Sequence, residues 1–467
     1  MSQKNLKSLE KETVRMGMID VFRVSLVTLF LLAVSIPATG LSQQAPDAPD
    51  VRTIGEKERA EIVDSVTTTL KNIYVFPDVA REMEEHVRKL MKQGKYDTLT
   101  NAAAFAGVLT EDLREVSHDL HLRVSYAPDE FFEREESDTL TDDARKEMQR
   151  QMEYDNYGFY KVERLSGNIG YLDLRGFQDA RWGGETAVAA MNFLGNSDAV
   201  IIDLRQNGGG SPSMIQLISS YFFDEPMHLN SFYIRSEDTI QQFWTAAHVE
   251  GKRMVDTDLY VLTSSRTFSA AEEFTYNMKN MERATIIGET TGGGAHPVDG
   301  YGFGNLNIAM SVPFGRAINP ITGTNWEGTG VTPHIEVPQE EALIVARKEA
   351  MTKMLEKSPD DEYAEVLKWN LATLEAQINP ITVDESILKK YVGVYGPRTI
   401  AFEEGELYYQ REERPKYRMI PMSEDTFMFE EIDYFRLQII LDENGSPTEV
   451  HGLYDNGHVD VSVRTGN

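Results

Sequence analysis

The 467-residue chain has no cysteine, which excludes disulfides, thiolate metal sites, a cysteine nucleophile and a lipid-anchored N-terminal cysteine. It is short of positive charge: 46 lysines and arginines stand against 75 aspartates and glutamates, a net charge of −29. A surface that acidic repels phosphate backbones, so nucleic acid is not an expected partner. The acidic residues are spread along the chain rather than blocked, and they read as solvated faces. A membrane-length apolar run is missing too. The run Val24–Ile36 has 13 residues, against the roughly 20 that a spanning helix needs. Lys4, Lys7, Lys11, Arg15 and Arg23 precede it, and Pro37-Ala38-Thr39-Gly40-Leu41-Ser42 follows. That order is the pattern of an export signal cleaved near Ser42. The expectation is a signal peptide over 1–42, a linker over 43–54, and a secreted or periplasmic protein without membrane contact. A retained N-terminal anchor is the alternative. No His/Asp/Glu group shows metal-ligand spacing, so neither a metal nor a cofactor is expected. What remains, 41% apolar and 26% charged residues, is ordinary globular composition.

Three apolar stripes at helical spacing open the mature part: Ile62, Val66, Leu70 and Ile73; Met83, Val87 and Leu90; and Phe105, Leu109, Leu113 and Val116. They predict an N-terminal helical domain over 55–126, with Pro77 separating the first two helices. A charged connection follows over 127–160. From Ile169 short apolar strands alternate with helices: strands at 169–174, 200–204, 259–263 and 284–287, helices at 185–194, 214–223 and 269–280. Such alternation implies parallel strands joined by crossover helices, an α/β core over 161–340. Residues 341–380 read as a helical connector closed by Pro380. Residues 381–467 read as a β-rich domain, with strands at 391–395, 406–409, 427–429 and 435–441 and a turn at Glu443-Asn444-Gly445.

Three patches in the core can carry chemistry. Ile202-Asp203-Leu204-Arg205-Gln206-Asn207-Gly208-Gly209-Gly210 ends a buried strand in a glycine triplet, whose backbone N–H groups can reach a developing oxyanion. It lacks the lysine of a phosphate loop and the spacing of a dinucleotide fingerprint, and by itself it is equally a tight turn. Thr267-Phe268-Ser269-Ala270-Ala271-Glu272 places a serine where a loop enters a helix, a position that suits a nucleophile and also a helix cap. Asn325-Trp326-Glu327-Gly328-Thr329-Gly330-Val331-Thr332-Pro333 holds a carboxylate in a Gly-rich loop, able to orient a histidine or to sit in solvent.

In combination and order these segments resemble the S41 serine peptidases: tail-specific proteases, the tricorn protease core and interphotoreceptor retinoid-binding protein. Asp203 to Gly210 resembles the family's Asp-x-Arg-x-Asn-Gly-Gly-Gly segment, and Ser269-Ala270-Ala271-Glu272 its Ser-Ala-Ser-Glu segment. Gly288-Glu289-Thr290-Thr291 and Gly330-Val331-Thr332-Pro333 resemble its Gly-Glu-x-Thr and Gly-Val-x-Pro segments, so the likeness runs from 167 to 338. Residues 55–126, above all Ser117-His118-Asp119-Leu120-His121-Leu122-Arg123-Val124, resemble the N-terminal region of the retinoid-binding-protein-like branch.

The resemblance implies a crotonase-like α/β peptidase core of βαβ units, flanked by the helical and β-rich domains, acting on a peptide or protein substrate. It implies Ser269 as nucleophile, with backbone donors for the oxyanion from Gly208 or Gly209 and from Ala270. Two departures stand out. The lysine base of tail-specific proteases is replaced by Gly294, and there is no room for their PDZ domain before the core. The tricorn-like branch uses histidine and glutamate instead. Glu327 fits its glutamate. Asp119-Leu120-His121 fits an Asp-x-His segment and makes His121 the expected base; Ser117-His118 fits the tricorn Ser-His pair and keeps His118 as the alternative. His296 is a third candidate, or else structural. A carrier of apolar ligands on the same fold is the competing function.

Overall fold

The computed structural model describes residues 22–24, 52–127, 142–357 and 363–466. The expected leader and nearly all of its linker lie outside the described residues, as does 128–141 of the expected connection. From the leader, Phe22–Val24 alone is described, as a strand antiparallel to Gly300–Gly302. Among the described residues no helix is long and apolar enough to cross a membrane. The chain divides into two compact units. One comprises Met1–Tyr154, His228–Trp244 and Gly293–Gly330; the other comprises Asp155–Met227, Thr245–Gly292 and Val331–Asn467.

The first unit starts with helices Glu56–Ile73, Pro77–Lys92 and Ala102–Ser117. Each start has a local cause. The Gly55 N–H donates to Glu58 at 2.9 Å, Pro77 occupies the first turn where its missing N–H costs nothing, and Asn101 accepts from the Ala104 N–H. Ile62, Val66, Leu70, Met83, Val87, Phe105, Leu109 and Leu113 are buried, as their spacing predicts. Helices alone do not close this core. Tyr301, Phe303, Ile308, Met310 and Val312 enter it from strands Val298–Phe303 and Ile308–Pro313, and strand Arg123–Tyr126 pairs with Ile308–Ser311. The helical region is therefore one part of a unit that draws its sheet from nearly two hundred residues downstream. A three-stranded sheet, Gly315–Ile318, His228–Ile234 and Thr239–Trp244, completes the unit.

The second unit holds a six-stranded sheet in the order Ile335–Glu336, Ala284–Gly288, Asp258–Thr263, Ala199–Asp203, Ile169–Leu174, Phe159–Leu165. All neighbours are parallel except the last pair, so the expected βαβ core stands, with an antiparallel strand added at one edge. Ile169–Leu174 and Ala199–Asp203 are buried at every position, the pattern of a sheet covered on both faces. Ala342, Ala346, Ala350 and Met351 of helix Ala342–Lys357 pack against Ile169, Tyr171, Ile201, Tyr260 and Leu262. The expected connector is two helices, this one and Ala364–Ile378.

The tail forms a nine-stranded antiparallel sheet whose two edges are Tyr417–Arg418 and Ile420–Pro421. Those edge strands are separated in the chain by Met419 alone, so the sheet must curl until its edges nearly meet, a β-barrel short of closure. Tyr395, Ile400, Leu407, Phe427, Leu437, Ile439 and Val450 fill it. Tyr391 ends the helix Glu385–Tyr391 rather than opening a strand, because Asp384 caps that helix and the following strand begins at Gly393.

Candidate active site

The glycine triplet and the serine segment lie together in the second unit. Asp203, at the end of its strand, takes the Tyr171 hydroxyl at 2.7 Å and the Arg205 guanidinium at 2.5 Å. It thus anchors the turn rather than facing a reactant. Asn207, fully buried, donates to the Leu174 carbonyl and accepts the Gly209 N–H at 2.9 Å, while its own carbonyl accepts the Phe268 N–H. Thr267 Oγ1 donates to the Leu204 carbonyl and Ser264 Oγ to the Arg205 carbonyl. The serine loop is therefore stitched to the glycine loop at three points.

Gly209 has φ of 115°, and a Cβ there would lie 2.7 Å from Ser269 Cβ and 3.1 Å from the Ala270 nitrogen. Only glycine lets these two backbones approach so closely. Because the Gly209 N–H is taken by Asn207, the triplet's donor toward the serine would come from Gly208, and its partner from Ala270 at the first turn of helix Ala270–Asn280.

Ser269 has φ 55° and ψ −120°, directly before that helix. A non-glycine residue in this region stores strain of about 1–3 kcal/mol, and such strain recurs at sharp strand-to-helix turns that present a nucleophile. Glu272 holds it in place. Its carboxylate, wholly buried, accepts the Ser269 N–H at 2.9 Å and the Thr291 hydroxyl at 2.5 Å, and Thr291 Oγ1 accepts the Val331 N–H at 2.7 Å.

The histidines and the glutamate belong to the first unit. Helix Ala102–Ser117 ends at His118, which turns left-handed (φ 53°) and gives its N–H to Arg114; its side chain is exposed. His118 is thus a helix terminator and is not brought to the other candidates. Asp119, 1% exposed, follows it and accepts three donors: the His121 backbone N–H at 3.0 Å, the Tyr74 hydroxyl at 3.2 Å and His296 Nδ1 at 2.7 Å. His296 Nδ1 also lies 3.5 Å from Glu327 Oε2. Glu327 in turn accepts the Ala295 N–H at 2.5 Å, Trp326 Nε1 donates to the Gly294 carbonyl, and Gly328 donates to the Gly293 carbonyl. The loop carrying Glu327 and the loop carrying His296 are one clasp.

Charge is distributed unevenly over this cluster. Burial drives the His121 imidazolium out, aided by His296 and Arg114 against the pull of Asp119, and sets its pKa at about 4. Burial also opposes the charged form of His296, but the hydrogen bond and charge of Asp119, with the charge of Glu327, outweigh it and raise its pKa. Asp119 is pushed up by burial and pulled down further by His296 and His121. Ligand atoms of Asp119, His296 and Glu327 lie within 4.8 Å of one another, a crowding that sequence spacing cannot reveal. Asp119 and Glu327 already accept N–H or O–H donors and His296 Nδ1 faces both carboxylates, so the group reads as a proton-sharing network rather than a cation cage. Of the residues expected from sequence, His121, His296 and Glu327 all adjoin one cluster, His121 through its backbone N–H to Asp119 and Glu327 through His296 Nδ1; Asp119 and Tyr74 were not foreseen as members, although Asp119 stands in the Asp-x-His segment.

Residues 54–157 match the N-terminal domain of peptidase family S41 found in eukaryotic IRBP, and residues 168–337 match peptidase family S41. A probable CtpA-like serine protease of Staphylococcus saprophyticus is 23% identical over 231 residues, 46% of this chain and 42% of that protein. The chain thus aligns with less than half the length of that curated relative. Among solved structures, a putative peptidase from Parabacteroides merdae is 18% identical over 61% of this chain and 90% of its own, with a TM-score of 0.43. The tricorn protease is 14% identical over 62% of this chain and 35% of its own, with a TM-score of 0.38. Matched by an S41 N-terminal domain and by the S41 peptidase domain in that order along the sequence, the chain belongs to peptidase family S41.

Proposed function

We propose that the chain is an exported serine peptidase with Ser269 as nucleophile, a histidine of the Asp119 cluster as base, Glu327 as the carboxylate beside it, and backbone donors from Gly208 and Ala270 for the oxyanion. The observation that supports this most is the strained backbone of Ser269 at a helix start, pressed against a glycine that tolerates no side chain. A residue that served only as a cap would sit in extended backbone, as Asn101 and Ser211 do.

In this reading the Ser269 hydroxyl oxygen attacks the peptide carbonyl as its proton passes to imidazole. The carbonyl electron pair moves onto oxygen, where each amide donor contributes about 3 kcal/mol of transition-state stabilisation. The imidazolium then returns the proton to the amide nitrogen as the C–N bond breaks, and water resolves the acyl-enzyme. Purified protein incubated with a mixed peptide library should cleave peptides, and Ser269→Ala should not; equal cleavage by both would remove Ser269 from the reaction. Export rests on the basic segment and short apolar run at the N-terminus. A mature N-terminus close to residue 42 in extracellular or periplasmic fractions supports it, and an intact leader on protein confined to the cytoplasm contradicts it.

A further inference from the structure

Two arginines are buried in the curled sheet of the tail, and their charges are handled differently. Arg398, 1% exposed, gives Nη2 to Asp460 and Nη1 to Ser462, so its charge is balanced inside the protein. Arg436, 8% exposed on strand Phe435–Leu441, meets no carboxylate among the described residues. Its Nη2 donates to the Trp369 carbonyl and to Thr373 Oγ1, both on helix Ala364–Ile378, which uses both Nη2 hydrogens. Its Nε is shut off from solvent without a partner. The guanidinium carbon lies 3.7 Å from the centre of the Trp369 ring, and Trp369 Nε1 donates to the Asp433 carbonyl, so the ring that backs the cation is itself fixed. Burial lowers the Arg436 pKa to about 10, which leaves it a cation at neutral pH. A desolvated guanidinium without a counter-charge is costly, and a cation–π contact offsets only part of that cost.

The same arginine lines a cavity of about 400 Å³ beside that helix and the turn 455–458, within the usual size range of small-molecule sites. With Nη2 spent and Nε closed off, Nη1 is the nitrogen left to face the opening. Trp369, Leu453 and Tyr454 supply apolar wall. Lys368 on the rim is taken by Glu365 at 2.7 Å, and Asp455 adds a negative charge there. One available positive charge beside an acidic rim accepts a single negative charge and disfavours a phosphate dianion. We propose that this cavity binds a carboxylate carried on an apolar or aromatic body, with Arg436 Nη1 as its donor. Such a group comes either as the C-terminal residue of a peptide or as a free organic acid. It supplies the counter-charge that the chain withholds from Arg436. The site is independent of the chemistry at Ser269, so the two readings stand or fall separately.

Isothermal titration calorimetry on the purified protein with N-acetylphenylalanine, its amide and inorganic phosphate tests this. The acid should bind, and the amide and phosphate should bind roughly tenfold more weakly or worse, the loss expected for one charge-assisted hydrogen bond. Arg436→Gln should bind acid and amide alike. Asp455→Asn should tighten the acid and leave the amide unchanged, because only the charge of the rim is altered. Ser269→Ala should bind as the wild type does. A phenylalanine-ended peptide that binds tighter than the free acid, and loses this on amidation, identifies a peptide C-terminus as the source; equal or weaker binding of the peptide identifies a free acid. Wild-type protein that binds neither compound, or acid and amide equally, or phosphate best, overturns the proposal, as does a folded Arg436→Gln that still prefers the acid. If Arg436→Gln does not fold, the acid-to-amide ratio and its increase in Asp455→Asn decide.

Discussion

Ser269, Gly209 and Glu272 illustrate how single residues shape the serine turn of the second unit. Ser269→Ala should abolish cleavage, whereas Ser265→Ala should leave most of it, because Ser265 is exposed on the loop. Peptide assays on the two variants check this. Gly209→Ala is expected to be costlier than its one methyl suggests. Its φ of 115° and the 2.7 Å approach to Ser269 force the loops apart. The predicted outcome is a stability loss of about 1–3 kcal/mol with cleavage lost as well. Unchanged urea unfolding and unchanged rate would show that the close approach is unimportant. The helix start at Ser269 was legible because the serine sits before Ala270-Ala271-Glu272 in a recognisable order. Its strain was not legible, since no residue type announces a positive φ outside glycine and asparagine.

At the scale of elements, the Glu272 carboxylate binds the start of helix Ala270–Asn280 to the Thr291 segment and, through it, to Val331. Glu272→Gln keeps the shape but replaces an acceptor pair with one acceptor and one donor, leaving a buried mismatch. Stability should fall by about 1–3 kcal/mol, read from urea midpoints, with a slower acylation of Ser269. An unaltered midpoint would mean that the buried relay carries no weight. Elements that are buried on both faces were readable as sequence: Ile169–Leu174 and Ala199–Asp203 are short, mostly apolar runs, each with one aspartate, bounded by turns. Val298–Phe303 was not, because Gly300 and Gly302 dilute its strand character and, although its hairpin partner Ile308–Pro313 is next in sequence, the helices whose core it completes are distant. The same holds for the buried Asp119–His296 pair. Asp119 and His296 are 177 residues apart, so no local spacing rule could join them.

For the molecule as a whole, the buried histidines make stability depend on pH in two opposite ways. His121 has a folded pKa of about 4, below the unfolded 6.5. Between those values the unfolded chain binds a proton that the folded chain refuses, so stability falls as pH drops through this window, by about 3 kcal/mol in all. His296 is raised, so its contribution is complete below 6.5 and is lost as pH rises through its folded value. His121→Gln should therefore flatten the acid side of a plot of unfolding midpoint against pH, and His296→Gln the neutral side. Parallel curves for wild type and both variants would refute this distribution of charge. The net charge of −29 adds a general preference for moderate salt, which screens the acidic surface.

The central claim is that Ser269 is an activated nucleophile, and a fluorophosphonate probe reads that without knowledge of the substrate. Intact-mass and peptide mass spectrometry should show one label per chain, on Ser269, with labelling lost in Ser269→Ala. No label on folded wild-type protein, or a stoichiometric label on a different serine, would contradict the account.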